Sequence, residues 1–273
     1  VPSWIGGQMA ISDLLSENIR KEISICNNFL DFENHSNEEL KSLIPILNRQ
    51  KKYSDIPRKD QLLAEIFSAK NYKSLFVFTL EGKFVNEGIG FLWALRFSKL
   101  NKSTFNITAN DFGFSLTSER EYDFSLIKNE LNYFLNIDCL EKDLKSAINL
   151  SELTKKKFKK IAQISGLVNN NPSKLKTANQ VQISSNLLFD VFTKYEDNHL
   201  LIKQAFEEVQ KDQLEINRMK NCLLRMSSME FIMNKTKYPS PLAFPLLVER
   251  LSSTLSNETI EHRVAKLINS YEK

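Results

Sequence analysis

The chain has 273 residues, 42% hydrophobic and 26% charged, with 37 lysines and arginines against 33 aspartates and glutamates for a formal net charge of +4. That length and apolar content suit one large or two small globular domains with a substantial core, and no apolar run reaches the roughly 18–20 residues of a membrane span. Three cysteines, Cys26, Cys139 and Cys222, stand far apart with no CxxC pair and only three histidines beside them, which argues against a zinc site or disulfide framework and for a reducing cytoplasm. The mildly basic balance permits a nucleic-acid partner without demanding one. The chain opens on Val1-Pro2 with neither methionine nor signal peptide and reads as a fragment of a longer protein.

Taken in order, Val1–Gly7 is a loop in which Trp4 stands beside two glycines, either packing under the domain or offering a platform for a base. A helix is predicted from about Ile11 to Phe29. Ser36-Asn37-Glu38-Glu39 has capping-box form and should start a second, reaching Gln50, with Pro45 shortening or kinking it. Asp55–Asp60 is a connector. Gln61–Ala69 fits helix or strand, and the brief polar break at Lys70–Lys73 favours a strand paired in a hairpin with Leu75–Leu80. Glu81-Gly82 marks a turn. Ile89–Phe97 is apolar on nearly every side, the mark of a buried helix. Thr104–Asn110 alternates, with Phe105, Ile107 and Ala109 on one face and Thr104, Asn106 and Thr108 on the other; Asn110-Asp111 supplies turn chemistry, and Phe112, Phe114 and Leu116 resume the alternation.

Beyond this the chain reads as mainly helix, with helices over Asp123–Asn136 and Leu140–Asn149. Asn149 with Glu152 has cap spacing for a helix that buries Leu153, Phe158, Ile161, Ala162 and Ser165 and carries Lys155, Lys156, Lys159 and Lys160 mostly on its other side. Val168–Lys176 is an Asn-rich loop with Lys174 and Lys176. Asn179–Lys194 forms another helix, with Val181, Ser184, Leu188 and Val191 in register. Asn198–Met226 reads as one helix of roughly 40 Å, Met229–Asn234 as a short strand. Pro239, Pro241 and Pro245 delay regular structure until Leu246–Leu251, and a last helix takes Ile260, Val264, Leu267 and Ile268 to the core. The expected fold is α+β: a small antiparallel sheet of about four strands with a buried helix, then a mostly helical C-terminal half. Its sub-parts are 1–60 (lead-in loop and helices), 61–120 (sheet and buried helix) and 121–273 (mainly helical).

There is no GxxxxGK[ST], GxGxxG, HExxH or GxSxG in the sequence. Glu207, Glu208, Asp212 and Glu215 have the types to hold a divalent metal for phosphodiester hydrolysis, but equally form the solvated face of a helix. His35, His199 and His262 each stand alone near a helix end. The lysine helix is more informative. Lys155, Lys156, Lys159 and Lys160, joined by Lys174 and Lys176, would make a patch for phosphates with salt-dependent, sequence-independent affinity. The polar strand face at Thr104, Asn106 and Thr108 could contact a backbone too, or simply be solvated or covered by a helix.

The blocks VPSWIGGQMAISDLL, FVFTLEGKFVNEGIGFLWALRFSK, TFNITANDFGFSL, NLSELTKKKFKKIAQISGLV, VQISSNLLFDVFTKYEDNHLLIKQAFEEVQ and SPLAFPLLVERL, in this order, resemble the C-terminal region of the large helicase-related (Lhr) group, most closely the bacterial DNA-ligase-associated DExH-box helicases. The resemblance covers essentially the whole chain, apart from NNNPSKLK, where relatives carry a glycine- and aromatic-containing loop. It implies a parent with two RecA-like motor lobes and a winged helix, an ATP-dependent superfamily 2 helicase moving 3′ to 5′ on single-stranded DNA in repair. ATP and Mg²⁺ would belong to those motor domains, and no catalytic, cofactor or metal site is expected in this stretch. It further implies that the domain helps enclose the tracking strand with an aromatic stacked on a base, a role for which Trp4 is the candidate, whereas Trp93 is read as core. The implied partners are single-stranded DNA or a DNA–RNA hybrid, the motor and winged-helix domains, and a DNA ligase or nuclease. Two rivals stand beside this reading: an interaction scaffold that never touches DNA, and a metal-dependent nuclease.

Overall fold

In the computed structural model, which describes residues 10–28, 38–168, 178–196, 198–253 and 258–271, the chain begins with helices α1 (Asp13–Asn28) and α2 (Glu38–Tyr53). Strands β1 (Gln61–Ser68) and β2 (Lys73–Phe78), helix α3 (Lys83–Leu100), and strands β3 (Asn106–Ala109) and β4 (Phe114–Ser118) follow. Next come α4 (Ile127–Leu135), α5 (Leu140–Ser146), α6 (Ile148–Ile164), α7 (Ala178–Tyr195) and α8 (Leu200–Glu208). The chain closes with α9 (Ile216–Ser227), β5 (Glu230–Thr236), α10 (Phe244–Ser253) and α11 (Ile260–Tyr271). These elements form two compact units, one from residues 1–137 and 218–273 and the other from 138–217. No helix among the described residues is long and apolar enough to cross a membrane.

The first unit is built on one sheet in the order β3-β4-β2-β1-β5. The β1–β2 hairpin, expected from the brief break at Lys70–Lys73, is antiparallel, as are β2–β4 and β3–β4. The predicted strand after Met229 also joins this sheet, parallel to β1. The α+β class therefore holds, while the sheet has five strands and is mixed rather than four and antiparallel. Period-2 alternation says which face a residue takes but not which neighbour the strand will find.

Registers divide the sheet into two faces. One carries Leu75, Val77, Ile107, Phe114 and Leu116 and is covered by α3, whose Val85, Ile89, Leu92, Trp93 and Phe97 are all fully buried. Trp93 meets Phe114 edge-on at 5.3 Å and Phe134 at 5.5 Å, so it is core, as expected. A Cβ on Gly90 would come within 2.9 Å of the Ile107 side chain, which is why the helix can lie this close to β3. α3 starts six residues earlier than its apolar run, because Gly82 (φ 93°) supplies the backbone turn before it and the Asp111 carboxylate accepts the Lys83 amide at 2.9 Å. The Asn110 side chain holds the adjoining turn by accepting the amides of Phe112 and Gly113. On the opposite face Leu63, Phe67, Phe76 and Phe78 pack with Ala243, just before α10, and Leu246 in its first turn. Towards β3 and β4 this same face turns polar, with Asn106 paired to Thr117 and Thr108 to Ser115.

Three details differ from the sequence reading. α10 begins at Phe244 rather than Leu246, since Pro245 falls in the first turn, where its missing amide costs nothing. α2 runs on through Pro45 to Tyr53. The last helix does not carry its apolar residues to the core: Ile260 is 44% and Ile268 41% exposed.

The second unit is a helical bundle with its own core: Phe158, Ile161, Ala162, Val181, Phe189, Ile202 and Ala205 from α6, α7 and α8. α6 starts at Ile148 with Ala147 at the cap position, so Asn149 lies inside the helix rather than capping it. In α7 the buried line runs through Val181, Ser185 and Phe189, and Val191 is 41% exposed. The single long helix predicted over 198–226 is broken. α8 ends at Glu208, a π-turn covers Val209–Gln213, and Glu215 adopts φ 43° before α9 begins. Ile202, Ala205 and Val209 before the break are buried in the second unit, and Met219 and Leu223 after it are buried in the first.

Glu65 provides a pH-dependent element of the first unit. Its side chain lies wholly inside on β1, accepting the Gln50 amide at 2.9 Å. Burial pushes its carboxyl above the ordinary range, offset in part by the hydroxyls of Ser240 and Ser54 and by the Gln50 amide. A carboxyl raised on folding favours the native state at low pH and loses that contribution as pH rises through its folded value. Glu65→Gln keeps the acceptor for Gln50 and removes the charge. Its stability advantage over wild type, from urea unfolding, is expected to grow by on the order of 1 kcal/mol between pH 5 and pH 8; a constant or shrinking gap would refute this.

Candidate nucleic-acid interface

Of the six predicted lysine contacts, the structure describes four, and α6 divides them into two pairs. Lys155 and Lys159 lie on the flank facing α7. The Lys155 ammonium sits 3.1 Å from Asp190 and 3.6 Å from Glu152, over the Phe189 ring, and the Asp190 carboxylate holds it above the usual ammonium range. The Lys159 ammonium donates to the Gln182 amide oxygen at 2.8 Å. Lys156 and Lys160, also four residues apart, are exposed. Lys157, on a third line, is 3.8 Å from Glu208. Lys156 and Lys160 are thus the lysines of the predicted set that face solvent, while Lys155 and Lys159 tie α6 to α7. Trp4, Lys174 and Lys176 lie outside the described residues, as does His35.

The polar edge of the sheet, exposed at Thr104 and Asn106, forms a second surface. With the end of α3, β3 and β4 enclose a cleft of about 710 Å³. Ser98, Thr104, Asn106 and Thr117 line it, Lys102 and Arg120 bring two cations, and Glu119 is its one carboxylate among the described residues. The Ser74 and Thr117 hydroxyls are bonded to each other at 2.8 Å. Hydroxyls, an amide and two cations around an open groove match the chemistry of phosphate and sugar contacts. Of the polar strand face seen in the sequence, Thr104 and Asn106 are exposed here, whereas Thr108 is half-buried and Thr117 and Ser118 of β4 are buried.

A third group leaves no trace in the sequence pattern, where Glu81 reads only as part of a turn. Glu81 is 1% exposed and meets three guanidinium groups: Arg20 of α1, and Arg218 and Arg225 of α9. Arg218 also donates to the Ile11 carbonyl at 2.8 Å and the Ser16 hydroxyl at 2.7 Å. Burial, then the neighbouring Arg225, pulls Arg20 below the usual guanidinium range. The adjacent pocket at Arg20, Arg58, Lys59 and Arg225 holds only about 10 Å³, room for no more than a water. The cluster thus joins α1 and α9 to the turn after β2 rather than receiving a phosphate.

Among the described residues no three histidine, cysteine, aspartate or glutamate side chains come together as metal ligands. Glu208 is taken up by Lys157 and Gln204. His199 caps α8 through its Nδ1 and stacks on Phe192 at 4.1 Å. Cys139 and Cys222 are free thiols, and burial pushes the Cys222 thiol up to about 12, which leaves it unreactive.

A family model described as DEAD/H associated matches residues 56–243. The chain belongs to the DEAD/H-associated family. The match takes in the sheet up to β5, the helical unit and the loop leading into α10. Over 98% of its length this DEAD/H-associated chain is 23% identical both to ATP-dependent helicase Lhr-Core protein 2 of Thermococcus barophilus and to ATP-dependent helicase Lhr-Core of Methanocaldococcus jannaschii. It spans about a third of those relatives, 32% in each case. The fold matches that of Mycobacterium smegmatis helicase Lhr, solved with single-stranded DNA and AMP-PNP, with a TM-score of 0.70 over 90% of this chain and 33% of that one, at 17% identity. The resemblance to the C-terminal region of Lhr-family proteins is thereby supported.

Proposed function

We propose that this region grips single-stranded DNA and couples that grip to an ATP-dependent superfamily 2 motor carried elsewhere in the parent chain. The observation that carries the reading is the shared fold with a helicase solved on single-stranded DNA; the cleft with Lys102 and Arg120 and the exposed pair Lys156 and Lys160 supply phosphate-binding chemistry to go with it. On this reading ATP and Mg²⁺ serve RecA-like lobes outside the matched third. Trp4 stacks on a base, and Lys174 and Lys176 extend the lysine patch. The wider setting, 3′-to-5′ movement in DNA repair beside a ligase or nuclease, on single strands or DNA–RNA hybrids, belongs to the same proposal.

Fluorescence anisotropy with a labelled single-stranded oligonucleotide tests it. Binding should weaken steeply with salt, and Lys156→Glu with Lys160→Glu should cost about tenfold in affinity at low salt and flatten the salt slope by about 2. Absence of salt-dependent binding at low ionic strength would sink the reading.

One observation favours the scaffold alternative. Ile183 (68% exposed), Leu187, Val191 and Tyr195 form an apolar line along α7, one residue per turn. A chain that ignores the oligonucleotide while alanines on this line abolish association with the rest of its helicase would decide for that alternative.

A further inference from the structure

The first unit carries a second cleft, of about 530 Å³, that none of the sites above uses. Pro45, Arg49 and Tyr53 form one wall, spaced four apart on α2 and so stacked along one side of the helix. Tyr238 and Pro241, from the loop after β5, and Phe244, from the start of α10, form the other. Tyr53 is 38% exposed, and the Tyr53 and Tyr238 rings meet edge-to-face with centroids 6.5 Å apart. A lysine lies over each: Lys52 at 5.9 Å from the Tyr53 centroid and Lys237 at 5.1 Å from that of Tyr238. Among the described residues no carboxylate lines the cleft.

The walls are fixed from behind. The Gln50 side chain is wholly buried, accepting the Leu242 amide at 3.0 Å and donating to the Asp55 carbonyl at 3.0 Å. Asn234 donates to the Ser54 hydroxyl at 3.1 Å and the Asp55 carboxylate at 2.8 Å, tying the end of β5 to the end of α2. Pro239 and Pro241 stiffen the loop between them. The cleft is therefore formed before anything enters it, and its volume is that of a small-molecule site.

Aromatic rings set among cations, with no anion to match them, fit a base attached to a phosphate. We infer that this cleft takes an unpaired nucleobase of a single strand, stacked against Tyr53 and Tyr238, with Arg49, Lys52 and Lys237 on the flanking phosphates. The lysines reach the rings on flexible stems, so an incoming base displaces them towards its own backbone. The inference rests on the single-strand reading above and adds to it a place and a mode: contact through the face of a base, tolerant of sequence.

The test uses the whole chain at low salt and a short labelled oligothymidylate, alongside the same strand with abasic positions. Tyr53→Ala and Tyr238→Ala should each weaken binding of the thymidylate about tenfold, whereas Tyr53→Phe and Tyr238→Phe should bind like wild type and show that the ring rather than the hydroxyl acts. Loss of the bases should weaken wild type and leave the double alanine variant unchanged. A strand carrying 5-iodouracil should photo-crosslink to Tyr53 or Tyr238. Undiminished binding by folded alanine variants, with no crosslink at either tyrosine, overturns the inference and leaves the strand-grip reading standing. A chain that binds no strand overturns both. Displacement of the thymidylate from the tyrosines by a proline-rich peptide would make the cleft a protein-docking groove and likewise overturn the inference.

Discussion

Glu81→Gln should destabilise the sheet-bearing unit by about 3–5 kcal/mol, the range for removing one partner from a buried ionic group. Glu81 is 1% exposed and is met by Arg20, Arg218 and Arg225. Without it, three guanidinium groups would share a largely buried site beside Asp13, a carboxylate 3.7 Å from Arg218 and 75% exposed. Arg20 would keep the Leu80 carbonyl at 3.2 Å and Arg218 its bonds to Ile11 and Ser16, so the loss would come mainly from repulsion and uncompensated desolvation rather than from the count of hydrogen bonds. Thermal unfolding followed through Trp93, in a Trp4→Phe background so that only the buried tryptophan reports, should show a midpoint lower by roughly 10 °C. Paired with Arg225→Met, which removes one of the excess cations, Glu81→Gln should cost less than it does alone. A loss below about 1 kcal/mol would mean that the cluster is solvated in solution.

Arg96→Met should cost about 3 kcal/mol. Arg96 is 1% exposed within α3, yet its guanidinium donates to three carbonyls, those of Tyr133, Phe134 and Asn136, each at 2.8 Å. These carbonyls end α4, where no further turn of helix follows, though the Tyr133 carbonyl also accepts the Asn136 amide at 3.4 Å. Methionine fills much of the space but donates nothing, so these carbonyls, one buried and two part-buried, lose a charged donor at about 1–3 kcal/mol apiece, part of which water entering at the helix end recovers. Hydrogen exchange should locate the damage, with amides of residues 127–136 losing protection before those of β1 and β2. Uniform loss of protection across the sheet, or none, would contradict this account.

Local pattern revealed some elements well. The alternation of 104–110, its restart at Phe114 and the Asn110-Asp111 turn gave β3 and β4, and an all-round apolar run identified α3, because each signal is confined to a few neighbouring residues. The break at 209–215 stayed hidden for the converse reason. The apolar stripe continues through it in helical period, and the residue that turns the chain, Glu215 at φ 43°, is neither glycine nor proline. The candidate site was legible only in part. The wheel of α6 shows four lysines together, but which flank α7 covers is a property of the packing, and that packing commits Lys155 and Lys159 to Asp190 and Gln182. The Glu81 cluster gathers residues more than 130 positions apart, and the tyrosine cleft joins α2 to a loop nearly 200 residues downstream; neither leaves a periodic trace.

The parallel ladder between β1 and β5 ties Gln61 to Glu230, 169 positions further on. During synthesis at about 5–20 residues per second, β1 has therefore left the ribosome roughly 10–30 s before its partner exists. The helical unit, whose core comes wholly from the intervening segment, is complete within that interval. β1, buried along Leu62–Phe67 in the finished sheet, waits with one edge unpaired, the kind of template that invites another chain to add a strand. The last fifth of the chain thus covers the open edge of β1, and ribosomes stalled before Glu230 should release a species more prone to aggregate than the complete chain.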